Sequence, residues 1–146
     1  MRLTFSILLV GFATFASAEE NSAQGSVEGT YLVCTDVYSK SIWGNKRGIY
    51  FSSETFMQSA ADTEPTRKVI RYDQDKKHPG LVKQRGSWTG YHVLENEVRF
   101  GIKDTPSKTL SRFNLHLRSM YSFETCKVAT DKAHMMQLLG AKNRAI

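Results

Sequence analysis

Apolar and polar residues alternate with a period of two in several short stretches of this chain, which is the pattern of half-buried β-strands. In the first stretch Tyr31, Val33 and Val37 share one face, and Leu32 and Cys34 share the other. Further short strands are predicted over 48–53, 67–72, 88–94, 97–103 and 111–117. Glycine-rich or polar turns separate them, so the pattern predicts a meander of antiparallel strands.

A hairpin with a defined register is predicted from two of these strands. Only Glu95 and Asn96 separate 88–94 from 97–103, and a loop of two residues sets which residues face each other. The apolar or β-branched pairs on one face are then Val93 with Val98, Tyr91 with Phe100, and Thr89 with Ile102. The other face pairs His92 with Arg99, Gly90 with Gly101, and Trp88 with Lys103.

A second hairpin is predicted after the strand 111–117. A three-residue loop, 118–120, places Leu117 opposite Tyr121, Leu115 opposite Phe123, and Phe113 opposite Thr125. A two-residue loop would instead oppose Leu117 with Ser122 and break the apolar face, so the three-residue loop is preferred. Residues 130–141 depart from strand spacing and predict a short amphipathic helix that covers one end or edge of the sheet.

The two cysteines connect the first predicted strand to the last one. Cys34 and Cys126 both lie opposite the apolar face of their strands, so we expect neighbouring strands and a disulfide outside the common core. A closed or nearly closed antiparallel barrel satisfies this, and a two-sheet sandwich also does. The fold class is therefore mainly β: a small antiparallel β-barrel-like domain or a sandwich, with a short C-terminal helix. Gly29-Thr30-Tyr31 resembles the Gly-x-Trp opening of lipocalins over these three residues, so the barrel is expected to be lipocalin-like, and we assign no family from it.

The first residues of the chain have the composition of a cleaved signal peptide. Arg2 precedes the apolar stretch 3–15, and Ala16-Ser17-Ala18 is a small-x-small cleavage pattern. We expect a signal peptide at 1–18, a flexible arm at 19–28, and one β-rich domain at 29–146 that contains the helix. The product is expected in the periplasm or outside the cell, where an oxidising environment favours the Cys34–Cys126 disulfide. No membrane-spanning segment is expected after the signal peptide.

Catalytic and metal-binding motifs are not apparent in the sequence. The four histidines lack the close spacing of a metal-binding pair, and the chain has no nucleophile elbow, phosphate loop or dinucleotide fingerprint. We therefore expect no cofactor and no metal, and we place an enzyme last among the functional classes. No motif for reading DNA or RNA is visible, so nucleic acid is not an expected partner.

Charge gives a candidate binding surface. With 20 basic and 14 acidic residues, and Arg2 lost with the signal peptide, the mature charge is about +5. A basic stripe lies between residues 66 and 86, and it consists of Arg67, Lys68, Arg71, Lys76, Lys77, Lys83 and Arg85. Such a stripe attracts an anionic partner, such as lipid headgroups, a wall polymer or an acidic protein, or it serves only solubility.

A second candidate surface is aromatic. The predicted register places Trp88 off the core face, next to His92, Arg99 and Lys103, where it would form a contact patch or a cation–π arrangement. The leading hypothesis is an exported, non-enzymatic protein that binds a small apolar or anionic ligand. The alternative is a protein-interaction module, such as an inhibitor or assembly factor of envelope proteins. An apolar cavity would favour the first hypothesis, and a filled core would favour the second.

Overall fold

The computed structural model describes residues 27–38, 46–85 and 89–141. The predicted signal peptide, nearly all of the predicted arm, and Trp88 lie outside these ranges. Within them the chain forms nine strands followed by one helix. The strands are β1 (Tyr31–Asp36), β2 (Lys46–Phe56), β3 (Thr66–Gln74), β4 (Val82–Gln84), β5 (Thr89–Val93), β6 (Glu97–Gly101), β7 (Pro106–Ser111), β8 (His116–Arg118) and β9 (Phe123–Ala129), and the helix is α1 (Lys132–Leu138).

Eight of the strands close into an antiparallel barrel. The order around the sheet is β2-β1-β9-β8-β7-β6-β5-β3, and pairing of β2 with β3 closes it. The short β4 lies beside β5 along the same edge of β3, at residues 72–74. Closure leaves no open sheet edge around the ring, whereas a sandwich would retain open edges. The barrel is therefore confirmed over the sandwich.

The register of the first predicted hairpin is confirmed. Tyr91 pairs with Phe100, His92 with Arg99, and Val93 with Val98. The predicted extension to Thr89 and Ile102 does not form. Gly101 has a φ of 91°, and an irregularity in the β6–β7 pairing falls there. The chain consequently leaves the sheet, and Ile102 is 63% exposed.

The second predicted hairpin forms between β8 and β9, but its predicted register and its three-residue loop are wrong. A tight turn at 112–114 interrupts the predicted strand 111–117, and the β8–β9 register pairs His116 with Thr125 and Arg118 with Phe123. The turn is closed by the Leu115 amide, which donates to the Ser111 carbonyl at 3.0 Å. Alternation of apolar residues does not reveal a turn when apolar residues lie within it. Phe113 and Tyr121, predicted to face the core, are 81% and 92% exposed.

The Cys34–Cys126 disulfide forms as predicted, but its predicted position outside the core is wrong. The two residues pair directly across β1 and β9, and both pack in the main core cluster. Cys34 is fully buried, as is its interior neighbour Leu32, while Val33 on the opposite face is 4% exposed. Both faces of β1 are therefore buried. The helix covers the face of Tyr31 and Val33 from outside the barrel. The residues on this outward face are apolar for that reason.

The outer core depends on helix α1. Met135 and Leu139 pack on Val33, Tyr72 and Ala129, on the outside of the barrel wall. The Asp131 carboxylate accepts a hydrogen bond from the His134 amide at 2.7 Å and caps the helix. The helix predicted over 130–141 is thereby confirmed, with narrower bounds.

Candidate functional site

The basic stripe is largely neutralised by acidic residues. Arg67 forms an ion pair with Glu28 at 3.0 Å, and Lys83 does so with Asp75 at 3.0 Å. Weaker or exposed pairs link Lys68 with Glu54 and Arg85 with Asp73. The stripe also divides between the two faces of β3, because strand residues alternate. It is therefore not one continuous cationic surface.

Asp75 organises the turn that joins β3 to β4. Its carboxylate accepts hydrogen bonds from the Lys77 amide at 3.0 Å and the His78 ring at 3.0 Å, and it pairs with Lys83. These contacts, led by the Lys77 amide, hold the pKa of Asp75 well below its usual range. The lysines of this turn have different surroundings. Lys83 is paired, whereas Lys76 and Lys77 are exposed and form no salt bridge within the described ranges.

Arg71, the remaining member of the stripe, belongs to a charged cluster inside one end of the barrel. It pairs across the sheet with the buried Ile49, and its Nε is buried and donates no hydrogen bond to any described residue. Burial and the nearby Arg47 lower the pKa of Arg71. The centre of this cluster is Glu124, a carboxylate with no exposed surface. Arg47 Nε lies 2.8 Å from Glu124 Oε1, and Lys108 Nζ lies 3.2 Å from Oε2.

A groove of about 730 Å³ lies between the β2–β3 loop with the start of β3 on one side, and β5 with residues 102–103 after β6 on the other. Its apolar lining includes Tyr91, Val93 and Ile102, and its cations are Arg67 and Lys103. The loop contributes Gln58, Ser59, Asp62, Thr63, Glu64 and Pro65. The volume falls in the range of small-molecule sites, about 300 to 1,000 Å³.

Gly90 allows the β2–β3 loop to lie against the barrel. A Cβ at this position would be 2.5 Å from Thr66 Cγ2 and 2.7 Å from Gln58 Nε2. In this space Gln58 Nε2 donates to the Gly101 carbonyl at 3.2 Å and to Thr66 Oγ1 at 3.2 Å. The loop is closed further by Asp62, which accepts from the Ser59 amide at 2.8 Å. The Asp62 carboxylate is thus occupied within the loop.

His92 and Lys103 line the groove, and Arg99 lies beside it. Arg99 pairs with His92 across the hairpin, and its guanidinium donates to the Lys103 carbonyl at 3.0 Å. The His92 Nε2 atom is buried and has no hydrogen-bond partner among the described residues. Burial lowers the pKa of His92, more than a hydrogen bond with the Gly101 backbone raises it. The imidazole is therefore neutral at neutral pH.

The strand pattern predicts that His92, Arg99 and Lys103 lie together, but it does not indicate the loop that faces them. The connection between the predicted strands 48–53 and 67–72 is expected from the sequence only as one of the polar turns of the meander. Contact between this loop and β5–β6 joins residues that are distant in sequence, such as Gln58 and Gly101. Gly90 was the available signal, since glycine inside a strand often marks close approach of another segment.

Apolar side chains occupy the barrel interior. Phe51 is fully buried, and its ring lies 5.0 Å from that of Tyr91 and 5.8 Å from that of Phe100. An eight-stranded barrel is just wide enough for side chains to fill it or for one small ligand to fit inside. Within the described ranges, the groove lies beside the β2–β3 loop, and the charged cluster around Glu124 lies at one end of the barrel. No cluster of metal-ligating side chains is present in those ranges.

No family model, curated protein or solved structure matches this chain. Among the described residues, no helix is long and apolar enough to span a membrane.

Proposed function

We propose that this is an exported, non-enzymatic binding protein, and that it binds a small amphipathic acid in the groove beneath the β2–β3 loop. The observation that carries the proposal is the combination of an apolar lining with His92 and Lys103 in a groove of about 730 Å³. The other side of the groove is formed by the loop, which Gly90 allows to pack closely. A groove that combines apolar and cationic lining residues suits a ligand with an apolar body and one polar end.

The preference for an acidic group follows from the charged residues at the groove. Lys103 is exposed and forms no salt bridge within the described ranges, so an anionic ligand group would provide its partner. The Nε2 atom of neutral His92 is an acceptor, because the ring donates its N–H to the Gly101 backbone, so the preference for an anionic group rests on Lys103. The two acidic residues of the lining do not pair with Lys103. Asp62 is hydrogen-bonded to Ser59, and Glu64 is exposed to solvent.

An NMR titration with octanoate would test this function. Octanoate should shift amide resonances around 58–67, 91–93 and 102–103, and octanol or octylamine should bind about tenfold more weakly because the charge pairing is lost. Lys103→Glu should weaken octanoate binding by about tenfold. Lys76→Glu makes the same charge change away from the groove and should leave binding unaltered. Octanoate shifts that are absent or spread evenly over the barrel would reject the groove.

The alternative function, a protein-interaction module, is supported by the aromatic side chains inside the barrel. Phe51, Tyr91 and Phe100 occupy space that a barrel with an internal ligand would leave open. Native mass spectrometry of the protein purified from its own source distinguishes the two functions. A retained mass of a few hundred daltons favours the ligand, and a retained protein favours the interaction module.

Export belongs to the same proposal. The disulfide is consistent with an oxidising compartment, since such bonds are rare in a reducing cytosol. We expect cleavage between Ala18 and Glu19. The intact mass of exported material should therefore be that of a chain beginning at Glu19. Exported material that still carries Met1 would contradict this.

A further inference from the structure

One end of the barrel exposes apolar side chains on two neighbouring turns. The end of β1 leads to Val37 and Tyr38, which are 52% and 75% exposed, and the β8–β9 turn carries Met120 and Tyr121, which are 86% and 92% exposed. The Val37 amide donates to the Phe123 carbonyl at 3.1 Å, which brings the two turns together. We call Val37, Tyr38, Met120 and Tyr121 the apolar tips.

Both turns have internal hydrogen bonds that hold the backbone beneath the apolar tips. The Ser119 amide donates to the Ser122 carbonyl at 2.9 Å, and the two serine hydroxyls lie 2.7 Å apart. The Tyr38 amide donates to the Asp36 carboxylate at 2.9 Å. Hydrophobic collapse alone would turn Met120 and Tyr121 inward, because burial of apolar surface is favourable. The turns instead present them to solvent.

Cations surround the apolar tips. Arg118 lies at the base of the β8–β9 turn with its guanidinium 5.0 Å from the Phe123 ring centroid. Lys46 begins β2 and pairs with Thr35, next to the end of β1. Lys76 and Lys77 follow β3, which ends beside the start of β2. All four side chains are exposed, and none forms a salt bridge with a described residue. We call Lys46, Lys76, Lys77 and Arg118 the free cations.

We propose that this end of the barrel docks onto the surface of an anionic lipid bilayer. Tyrosine and methionine side chains at the apolar tips would enter the headgroup region, where amphipathic rings are favoured. The free cations would lie at the level of the lipid phosphates and add electrostatic attraction. Projecting turns fit a fluid surface that can deform around them, whereas a rigid protein partner would need a complementary pocket. The groove proposed above uses other residues, so the two proposals can fail independently.

Co-sedimentation of the intact, disulfide-bonded protein with vesicles tests the docking. Vesicles of phosphatidylcholine mixed with phosphatidylglycerol should pellet the protein, and vesicles of pure phosphatidylcholine should bind it at least tenfold more weakly. Raising the salt from about 0.1 to 1 M shortens the Debye length from about 10 to 3 Å and should release the protein.

Matched variants separate the apolar and the electrostatic contributions. Met120→Ser with Tyr121→Ser should lower vesicle affinity by about tenfold, because the inserted apolar area is lost. Phe113→Ser removes a similarly exposed ring from the turn at the opposite end of the barrel and should have no effect. Lys76→Glu with Lys77→Glu should also lower affinity by at least tenfold, whereas Lys127→Glu with Lys132→Glu makes the same change in net charge elsewhere and should lower it much less.

Three results would overturn the proposal. The first is failure of the wild-type protein to bind anionic vesicles at low salt. The second is binding that the Met120 and Tyr121 substitutions leave unchanged. The third is absence of vesicle binding together with binding to soluble poly-glutamate, which would identify an acidic polypeptide as the partner of this end. Circular dichroism of each variant confirms that a loss of binding is not a loss of folding.

Discussion

At the scale of single residues, the charged cluster around Glu124 is the least expected feature of the interior. A carboxylate with no exposed surface requires compensation, because transfer of a charge out of water is costly. Arg47 supplies an ion pair at 2.8 Å, but Oε1 accepts no hydrogen bond of good geometry there. Lys108 supplies a true hydrogen bond at 3.2 Å. Glu124 therefore links β2 and β7 to β9 inside the barrel end.

Replacement of Glu124 should be costly even when the shape is kept. We expect Glu124→Gln to lower the free energy of unfolding by about 1–3 kcal/mol, because two partly buried cations lose their carboxylate. Urea denaturation would measure it. Glu54→Gln, which removes an exposed partner of Lys68, is the control and should cost less than about 0.5 kcal/mol. Equal effects of the two substitutions would contradict the role assigned to Glu124.

The buried His92 should make stability depend on pH in a definite direction. Burial lowers the pKa of His92 below its usual 6.5, so the unfolded chain takes up this proton first as the pH falls. The contribution of neutral His92 is therefore fully present above pH 6.5 and is lost as the pH drops from there to the lower folded pKa.

A His92→Gln variant lacks this titration. Between about pH 7.5 and 5 the wild-type protein should lose stability relative to the variant, as followed by urea unfolding at each pH. Other titrating groups are common to both proteins and cancel in the comparison. Parallel stability curves for the two proteins would show that burial of His92 does not resist protonation.

At the scale of elements, helix α1 converts an exposed sheet face into a second core. The helix can approach β2 closely because residue 48 is glycine. A Cβ there would be 2.6 Å from Met135 Sδ and 3.0 Å from Leu139 Cδ1. Tyr31 and Tyr50 stack beside this contact, with ring centroids 4.3 Å apart. Two glycines thus position the two outer segments of the molecule, Gly48 for the helix and Gly90 for the β2–β3 loop.

Gly48→Ala should loosen the helix. We expect a loss of about 1–3 kcal/mol in unfolding free energy, the usual cost of overpacking. Met135→Ala also destabilises the protein by removing a buried side chain, but it clears the space that the new methyl group needs. The double variant should therefore be more stable than the sum of the two single losses implies, and a double-mutant cycle would measure this coupling. Strict additivity would mean that the helix does not contact residue 48.

At the scale of the whole molecule, one disulfide joins the first strand of the barrel to the last. The bond spans 92 residues, and it lies in the core beside Leu32. It constrains the unfolded chain strongly, since closing a long loop removes many conformations. The bond therefore reinforces the β1–β9 pairing, through which chain ends distant in sequence meet in the barrel wall.

Loss of the disulfide should weaken the entire fold. Cys34→Ala with Cys126→Ala should cost about 2–5 kcal/mol, measured by the denaturation midpoint in urea. A control for the loss of the sulfur atoms from the core is the wild-type protein, unfolded and refolded with reductant present. Its urea midpoint should match that of the double variant. A midpoint unchanged by both treatments would contradict the role of the bond.

The candidate site could be predicted only in part. Strand alternation located His92 and Arg99 as a cross-strand pair, and the structure confirms it. The basic stripe predicted a binding surface less well. A count of charges between residues 66 and 86 leaves out Glu28 and Glu54, which pair with Arg67 and Lys68 in the structure. Neither the groove nor the apolar tips could be inferred, since both depend on turns at 57–65 and 119–122 and on what they approach.

The sequence by itself determined the mainly β class, the register of the hairpin at 95–96, the C-terminal helix and the partner of Cys34. Each depends on local periodicity, on a short loop, or on there being one other cysteine. Only the tertiary structure decided which face of β1 lines the barrel, because the helix makes both faces apolar. It also decided where the 111–117 segment turns and that a loop lies over Gly90. Period-two alternation distinguishes two faces but does not say which of them is inside, and long-range contacts leave no local pattern.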